Sequence, residues 1–417
     1  MSATAATTPQ VTPSGLPSQR SFRIWLAILA VFLVIGVVSG VMVLVRGLGI
    51  TGLTDTVPWG LWIALDLSAI SLGAGAFILS AIVYLLRVER FKAFARVAVL
   101  VGFLGYSTAM LALFLDIGRP DRFWHPVVYW NVHSVLWEVT MCVMLYFTVL
   151  AAEMAPVVLE SRLVTRRWPN APKIGHVIHN LTPVLAVLGL GLSLLHQSSL
   201  GATYGVIAAR PLWYKPSLPV MFILSAAGGG IAASLLGTLV VSGLRGRYVI
   251  DIKVIREVAI FAGSAMALYL YIKIWDWATT TYYSNIPARA EGLALLTQTT
   301  PYGTTFWIVE VLLGGLVPII IFFSKRLREN DWWLALGCVL TIIGVIMLRW
   351  NVTISGLVLP QDWSPGVAFL FPRISYVPTL PEIGAFLGIV AYALAGFTLA
   401  VHYLPIFPEH EHEHGHD

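Results

Sequence analysis

Cysteine is almost missing. The 417-residue chain has two, Cys142 and Cys338, each inside an apolar run. Two thiolates cannot ligate an iron–sulfur cluster, so none is expected in this chain, nor is a disulfide. Charge is scarce as well: Asp, Glu, Lys and Arg make up 11% of residues against 58% hydrophobic, and the mean hydropathy is +0.81. That balance excludes an ordinary soluble domain. A formal charge of +5 would suggest an anionic partner in a soluble protein, but here the basic residues gather in alternate loops between apolar runs, where they report orientation and not nucleic acid. Histidine pairs are lacking too. No apolar run carries two histidines three to four turns apart, the arrangement that stacked b-type haems in a bundle require. A single pairing of His133 with His196 is the haem geometry left open, with His176 and His179 at the inner end of the fifth run.

What the chain does have is length in hydrocarbon. Apolar runs at 24–45, 59–86, 95–115, 131–152, 177–196, 218–244, 255–275, 304–324, 332–349 and 382–404 are each long enough to cross a bilayer. The expected fold is therefore an all-α polytopic membrane protein of about ten transmembrane helices. The first run is too long for a signal-peptide core and no small-residue cleavage site follows it, so it reads as a retained span. The N-terminal tail and the connections near 87–96, 162–173, 245–256 and 325–328 hold 17 of the 26 Lys and Arg residues. By the positive-inside rule both termini are expected in the cytoplasm. The opposite loops, near 46–58, 116–130, 197–217, 276–303 and 350–381, are longer and rich in Trp, Tyr, Pro and Gly, as suits a docking face. Residues 1–20, rich in Ser, Thr, Ala and Pro, read as a disordered tail. The His/Glu-rich residues 409–417 read as a solvated end able to take up divalent metal adventitiously.

The chemistry-bearing residues gather toward the loop-rich side. Asp116-Ile-Gly-Arg119-Pro-Asp121-Arg122 leads through Asn131 and His133 to Glu138, about one turn inside the fourth run, and Glu153 closes its other end. The second run opens Val57-Pro-Trp59-Gly-Leu-Trp62 and carries Asp66 two turns in. The fifth is expected to end His196-Gln197-Ser198-Ser199-Leu-Gly201, with Gly201 as its stop. The sixth holds Gly228-Gly229-Gly230, which predicts an interruption. Bland readings stand beside these. The tryptophans fit an interfacial aromatic belt, His125 fits a solvated loop, and Arg119 fits an ion pair with Asp116 or Asp121. Asp66, Glu138 and His196 are harder to dismiss, because ionisable groups within a span are expensive and default to functional candidates. In the second half Lys273 and Asp276 end the seventh run, Glu310 in the eighth reads as part of an internal ion pair or of the core, and Arg349 stands at the outer end of the ninth; none is assigned beyond structure.

A quinone site needs an apolar slot, hydrogen-bond partners for two carbonyls and a group that exchanges protons. Asp66, Asn131, His133, Glu138, His196, Gln197 and Ser198 supply that set at one face. The motifs Val57-Pro-Trp-Gly-Leu-Trp-Ile-Ala-Leu-Asp66, Asp116-Ile-Gly-Arg-Pro120, Asn131-Val-His-Ser-Val-Leu-Trp-Glu138 and His196-Gln-Ser-Ser-Leu-Gly201 resemble those of the NrfD-like, polysulfide-reductase-type integral membrane subunits. The likeness extends over nearly all of residues 20–408 and is strongest to the long branch containing the "cytochrome b" subunit of nickel–iron hydrogenases. His133 departs from it, since that branch would have Asn there.

The resemblance implies a haem-free, quinone-reactive subunit in a bacterial or archaeal cytoplasmic membrane, contacting menaquinone or ubiquinone. It implies a periplasmic ferredoxin-like Fe–S partner, and beyond it a catalytic subunit or multihaem cytochrome. It further implies two four-helix bundles: a quinone bundle over 59–217 and a second over 218–350, with a peripheral first helix and outer loop (21–58), and an outer loop and last helix (351–408). On that pattern Glu138 and Asp66 exchange protons and Trp59, Trp62, Asn131, His133, His196, Gln197 and Ser198 surround the ring. Asp116, Arg119 and Glu153 then serve as structural or proton-relay groups, Glu153 toward the cytoplasm. A proton-coupled transporter, a di-haem anchor and a purely structural tether are the competing readings. The first predicts paired helix interruptions in inverted halves.

Overall fold

The computed structural model describes residues 19–84, 87–210, 212–283, 287–298, 300–358, 361–362, 369–371 and 375–407. Of the tail expected over 1–20 only Gln19 and Arg20 fall within these, both helical, and the His/Glu-rich end lies outside them. Among the described residues ten helices are long and apolar enough to span a membrane: α1 (Gln19–Arg46), α2 (Leu61–Val83), α3 (Glu89–Asp116), α4 (Val135–Leu159), α5 (Thr182–Gly205), α6 (Leu218–Arg245), α7 (Ile252–Thr281), α8 (Thr304–Phe323), α9 (Asp331–Leu357) and α10 (Leu380–Tyr403). The protein is thus an all-α, multi-pass integral membrane protein. Its described strands form a short antiparallel ribbon in the last long loop, Gln361–Asp362 against Phe369–Phe371. One end of the helices carries the basic connections and the other the aromatic loops, and these are called the basic and aromatic ends below.

The helices form two rings. In the first, α2 packs on α3, α3 on α4, α4 on α5, and α5 back on α2; in the second, α6 to α9 close in the same way. The rings meet where α6 lies against α2, α3 and α5, and α9 against α2. Helices α1 and α10 form a pair outside both, resting on α3. Small residues set these crossings, as expected where no hydrophobic effect drives association. Gly36 of α1 faces the backbone of Gly388 of α10, and a Cβ on Gly384 would meet Ser39. Much of the remaining surface of α1 is exposed Val and Ile, a lipid-facing wall.

The triglycine of α6 behaves differently from its sequence expectation. Helix α6 runs unbroken through Gly228–Gly230, and it is α2 that is interrupted, at Ala74 between Gly73 and Gly75. A Cβ on Gly230 would fall on the backbone of Gly75. The glycines therefore serve close approach and not bending: removing Cβ lets two backbones touch at the junction of the rings.

Polar caps fix the aromatic end. Ser134 caps α4 by accepting from the Trp137 amide at 3.3 Å. Thr379 and Glu382 form a capping box on α10. Glu382 is almost fully buried and also accepts from the Gly52 amide (2.7 Å) and the Tyr376 hydroxyl (2.7 Å), while that hydroxyl accepts from the Leu61 amide at the start of α2 (2.8 Å). One carboxylate thus ties the first loop, α2 and α10 together.

Candidate functional site

Each helix of the first ring contributes a polar side chain to its interior. At ~1.5 Å per residue, Asp66 lies about 7 Å below the start of α2 and Glu138 about 4 Å below the start of α4. Helix α5 continues past Gly201 to Gly205, so the run His196 to Ser199 is not at an interface but about 9–14 Å inside, by the same rise. The helix can continue there because the hydroxyls are satisfied along it: Ser199 and Ser198 donate to the Leu195 carbonyl, each at 2.8 Å.

The interior is dense with unmet hydrogen-bonding capacity. The Ser199 oxygen also lies 2.6 Å from the Glu138 carboxylate, so its one hydrogen is shared between that carboxylate and the Leu195 carbonyl, joining α5 to α4. His196 is fully buried, and its Nδ1 is 3.0 Å from the hydroxyl of Tyr106 on α3, itself fully buried. Tyr106 meets the edge of Tyr146 of α4 with ring centroids 4.7 Å apart. Gln197 Nε2 reaches the Ile70 carbonyl of α2 at 3.4 Å. Ser193 and Gln197 lie near the Tyr106 hydroxyl without a direct hydrogen bond to it. Four buried polar atoms of this group have no partner among the described residues: Asp66 Oδ1, Ser193 Oγ, His196 Nε2 and Gln197 Oε1. Native interiors leave few such atoms unpaired, so their convergence in one ring is a chemical signal.

The other expected residues sort out clearly. Asn131 and His133 are exposed in the aromatic-end loop and take no part in this interior. Ser198 turns from it, whereas Ser199, three residues after His196 and so nearly in line with it on the helix, faces Glu138. Trp62 is buried, but its indole donates to the Glu382 carbonyl at 3.2 Å and packs with Val43, Ala112 and Ala385, which anchors the α1–α10 pair. Trp59 packs against Tyr204 and Trp213 at centroid distances of 5.0 and 5.5 Å. Asp116 ends α3 with Oδ1 buried and unpaired among the described residues. Arg119 pairs with Asp121 at 3.1 Å, both exposed; the guanidinium holds the Asp121 carboxyl below its usual range.

Glu153 lies on the wall of a separate cavity of about 280 Å³ at the basic end, shared with Lys92, Arg96, Glu160, His176 and His179. The helix Ala171–Asn180 supplies both histidines and packs along α4.

Sequence reasoning missed Tyr106, Ser193 and Ser199 as partners, because a buried Tyr or Ser in an apolar helix carries no mark of its own. It missed Glu382 although Thr379-Leu-Pro-Glu382 is a readable capping box. In the second ring it left Glu310 open, and Glu310 is nearly fully buried. It pairs with Lys273 and accepts from Tyr269 (2.6 Å) and Asn351 (2.6 Å). Its helix has π-type hydrogen bonding over Thr304–Leu316.

The model of the polysulphide reductase family NrfD matches residues 49–361. The chain belongs to that NrfD family. Among its relatives, the integral membrane subunit of menaquinone reductase from Nitratidesulfovibrio vulgaris is 35% identical over 94% of this chain and 93% of that protein. The integral membrane subunit of an Hdr-like menaquinol oxidoreductase from Archaeoglobus fulgidus is 27% identical over 88% of this chain and 89% of that protein. A probable Ni/Fe-hydrogenase 2 b-type cytochrome subunit of Escherichia coli is 29% identical over 88% of each. The NrfD match takes in all of the first ring and so every member of the Asp66, Glu138, His196 and Gln197 cluster.

Proposed function

We propose that the chain is the quinone-reactive membrane subunit of a respiratory redox complex, passing electrons between a periplasmic ferredoxin-like Fe–S subunit and menaquinone or ubiquinone. A further catalytic subunit or multihaem cytochrome lies beyond that partner. The observation that carries the reading is the set of buried polar atoms on Asp66, Ser193, His196 and Gln197 that have no partner among the described residues, beside the Glu138–Ser199 pair. Relatives named as menaquinone reductase and menaquinol oxidoreductase membrane subunits support it.

The residues fit the demands of a quinone head group. Such a group, when bound, supplies two-electron, two-proton chemistry and needs hydrogen-bond partners at its carbonyls. With the Tyr106 hydroxyl donating to Nδ1, His196 carries its hydrogen on Nε2 and offers it to the interior. The Gln197 amide lies beside it. Asp66 and Glu138 take and release protons, and Ser199 holds the Glu138 carboxylate in place. An apolar groove of about 400 Å³ between α3, α4 and α10, lined by Ser107, Met110, Phe114, Phe147 and Tyr392, suits an isoprenoid tail. Ser107 and Phe147 are the chain neighbours of Tyr106 and Tyr146, so the groove lies about 100° around α3 and α4 from those two side chains.

In this reading the aromatic end is periplasmic, the basic end and both termini are cytoplasmic, and the membrane is the cytoplasmic membrane of the cell. The exposed Trp124, Tyr129 and Trp130 of the loop after α3 form part of the partner's docking face. Glu153 and the basic-end cavity are the relay toward the cytoplasm, making quinone chemistry at the opposite end electrogenic.

The test is purification of the complex from native membranes in mild detergent, with quinone content and the reduced-minus-oxidised spectrum taken from one sample. Co-purification of an Fe–S subunit and quinone is the expected outcome. A protein that purifies alone and free of quinone would return the transporter reading.

A further inference from the structure

One side chain of the second ring reaches into the helix that carries Asp66. Arg349 of α9 is wholly buried. Its Nε donates to the Ser71 hydroxyl of α2 at 2.8 Å, and its Nη2 donates to the Phe222 carbonyl (3.1 Å) and the Ser225 hydroxyl (3.2 Å) of α6. The guanidinium carbon stands 3.5 Å from the centre of the Phe222 ring. Nη1 has no partner among the described residues. Tyr204, Tyr269 and Glu310 are the ionisable groups around it.

The contact with Ser71 is more than a cross-link between rings. The Ser71 hydroxyl itself donates to the Leu67 carbonyl at 2.7 Å, one residue past Asp66. On α2 Asp66 and Ser71 lie about 140° apart around the axis, so Arg349 grips the back of the turn whose front presents Asp66. Gln197 grips the same turn from α5 through the Ile70 carbonyl. Three residues beyond Ser71, the helix is interrupted at Ala74 and the Gly75–Gly230 backbone contact begins. The turn from Asp66 to Ser71 is thus clamped between α5 and α9, immediately before a break that would otherwise let it shift. A buried guanidinium with an unmet donor is a costly way to join two helices, and an apolar side chain would join them at lower cost.

We propose that Arg349 is a positioning residue for the Asp66-bearing turn, so that the second ring sets the geometry of the site in the first. The inference rests on the quinone reading for its functional consequence, but not for its structural one. The variants are Arg349→Gln, Arg349→Lys, Ser71→Ala and the double variant Arg349→Gln with Ser71→Ala, each in the purified complex. Three quantities are read: affinity for a short-chain menaquinone analogue, amide hydrogen exchange over residues 66–73, and melting temperature.

Ser71→Ala and Arg349→Gln should each weaken analogue binding about tenfold, the size of one hydrogen bond to a charged group. Exchange over 66–73 should quicken while exchange over 252–278 does not. The double variant should be no worse than Arg349→Gln alone, because both remove the same link. Arg349→Lys should not restore binding, since an ammonium lacks the fork that serves Ser71 and the α6 groups together. Additive losses, or a lowered melting temperature with binding and exchange over 66–73 unchanged, would overturn the proposal. Ser71→Ala decides the matter should Arg349→Gln fail to assemble. If the unaltered complex binds no analogue, the quinone reading falls, and the exchange pattern alone then decides whether Arg349 positions α2.

Discussion

Replacing Tyr106 with Phe removes one oxygen from the centre of the candidate site and changes almost nothing else. The ring is fully buried and keeps its edge contact with Tyr146, so no cavity of consequence opens. What is lost is the 3.0 Å bond to His196 Nδ1. A buried hydrogen-bonding atom left without a partner costs about 1–3 kcal/mol, and here it is a nitrogen of a wholly buried imidazole. In the proposed arrangement, with the hydroxyl as donor, the same bond keeps the imidazole hydrogen on Nε2, so its loss also removes that bias.

Misdirecting His196 forfeits its hydrogen bond to the quinone, worth about 1–3 kcal/mol, so kcat/KM of the assembled complex should fall by about 5- to 150-fold, at ~1.4 kcal/mol per factor of ten, while the penalty of the stranded Nδ1 falls on stability. The assay is quinone reduction or oxidation by purified complex at several quinone concentrations, with melting temperature measured in parallel. Tyr106→Phe combined with His196→Gln should be about as impaired as His196→Gln alone, because the tyrosine acts through the histidine. Unchanged kcat/KM in a well-folded Tyr106→Phe complex would mean that the hydroxyl has no bearing on the ligand.

Three further outcomes follow from the packing. Lys273→Met strands Glu310 as a buried carboxylate and should cost about 3–5 kcal/mol of stability, while adding Glu310→Gln should recover part of it; thermal unfolding in detergent compares the two. Gly230→Ala places a Cβ on the Gly75 backbone and should destabilise by about 1–3 kcal/mol or block assembly, whereas Gly191→Ala, with open space around it, should be neutral in the same melt. The Arg119–Asp121 pair is complete above the ordinary Asp range, because the folded carboxyl is held below its usual value of ~3.9. Proteolysis of the loop after α3 should stay constant as pH falls to about 4 and quicken only below; quickening between about pH 6 and 5 would contradict the pairing.

Much of the fold was legible because spanning helices are written in long apolar runs, and all ten appear close to their expected places. The misreadings came from ends and glycines. His196 to Ser199 looked like a helix terminus because polar residues cluster at interfaces, yet serines in a span can satisfy themselves on the preceding turn. Gly228–Gly230 looked like a break because glycine lowers helix propensity, yet its use here is contact with Gly75. Asp66, Glu138 and His196 stood out because charge in hydrocarbon is rare. Tyr106 and Ser199 did not, since their roles depend on which helices meet. Arg349 was visible as a cation near a helix end, but its reach to Ser71 across the ring boundary is a property of packing alone.

Photolabelling would show whether the interior of the first ring takes a quinone head group. The intact complex in native membranes would be irradiated with a photoreactive menaquinone analogue, with excess unlabelled menaquinone as competitor, and the modified peptides mapped by mass spectrometry. A quinone seated there should give competable labelling on α2 around Asp66, α4 around Glu138 and α5 around His196, lost in His196→Gln. Competable labelling confined to the second ring or to the α1–α10 pair, with none on those three helices, would contradict it.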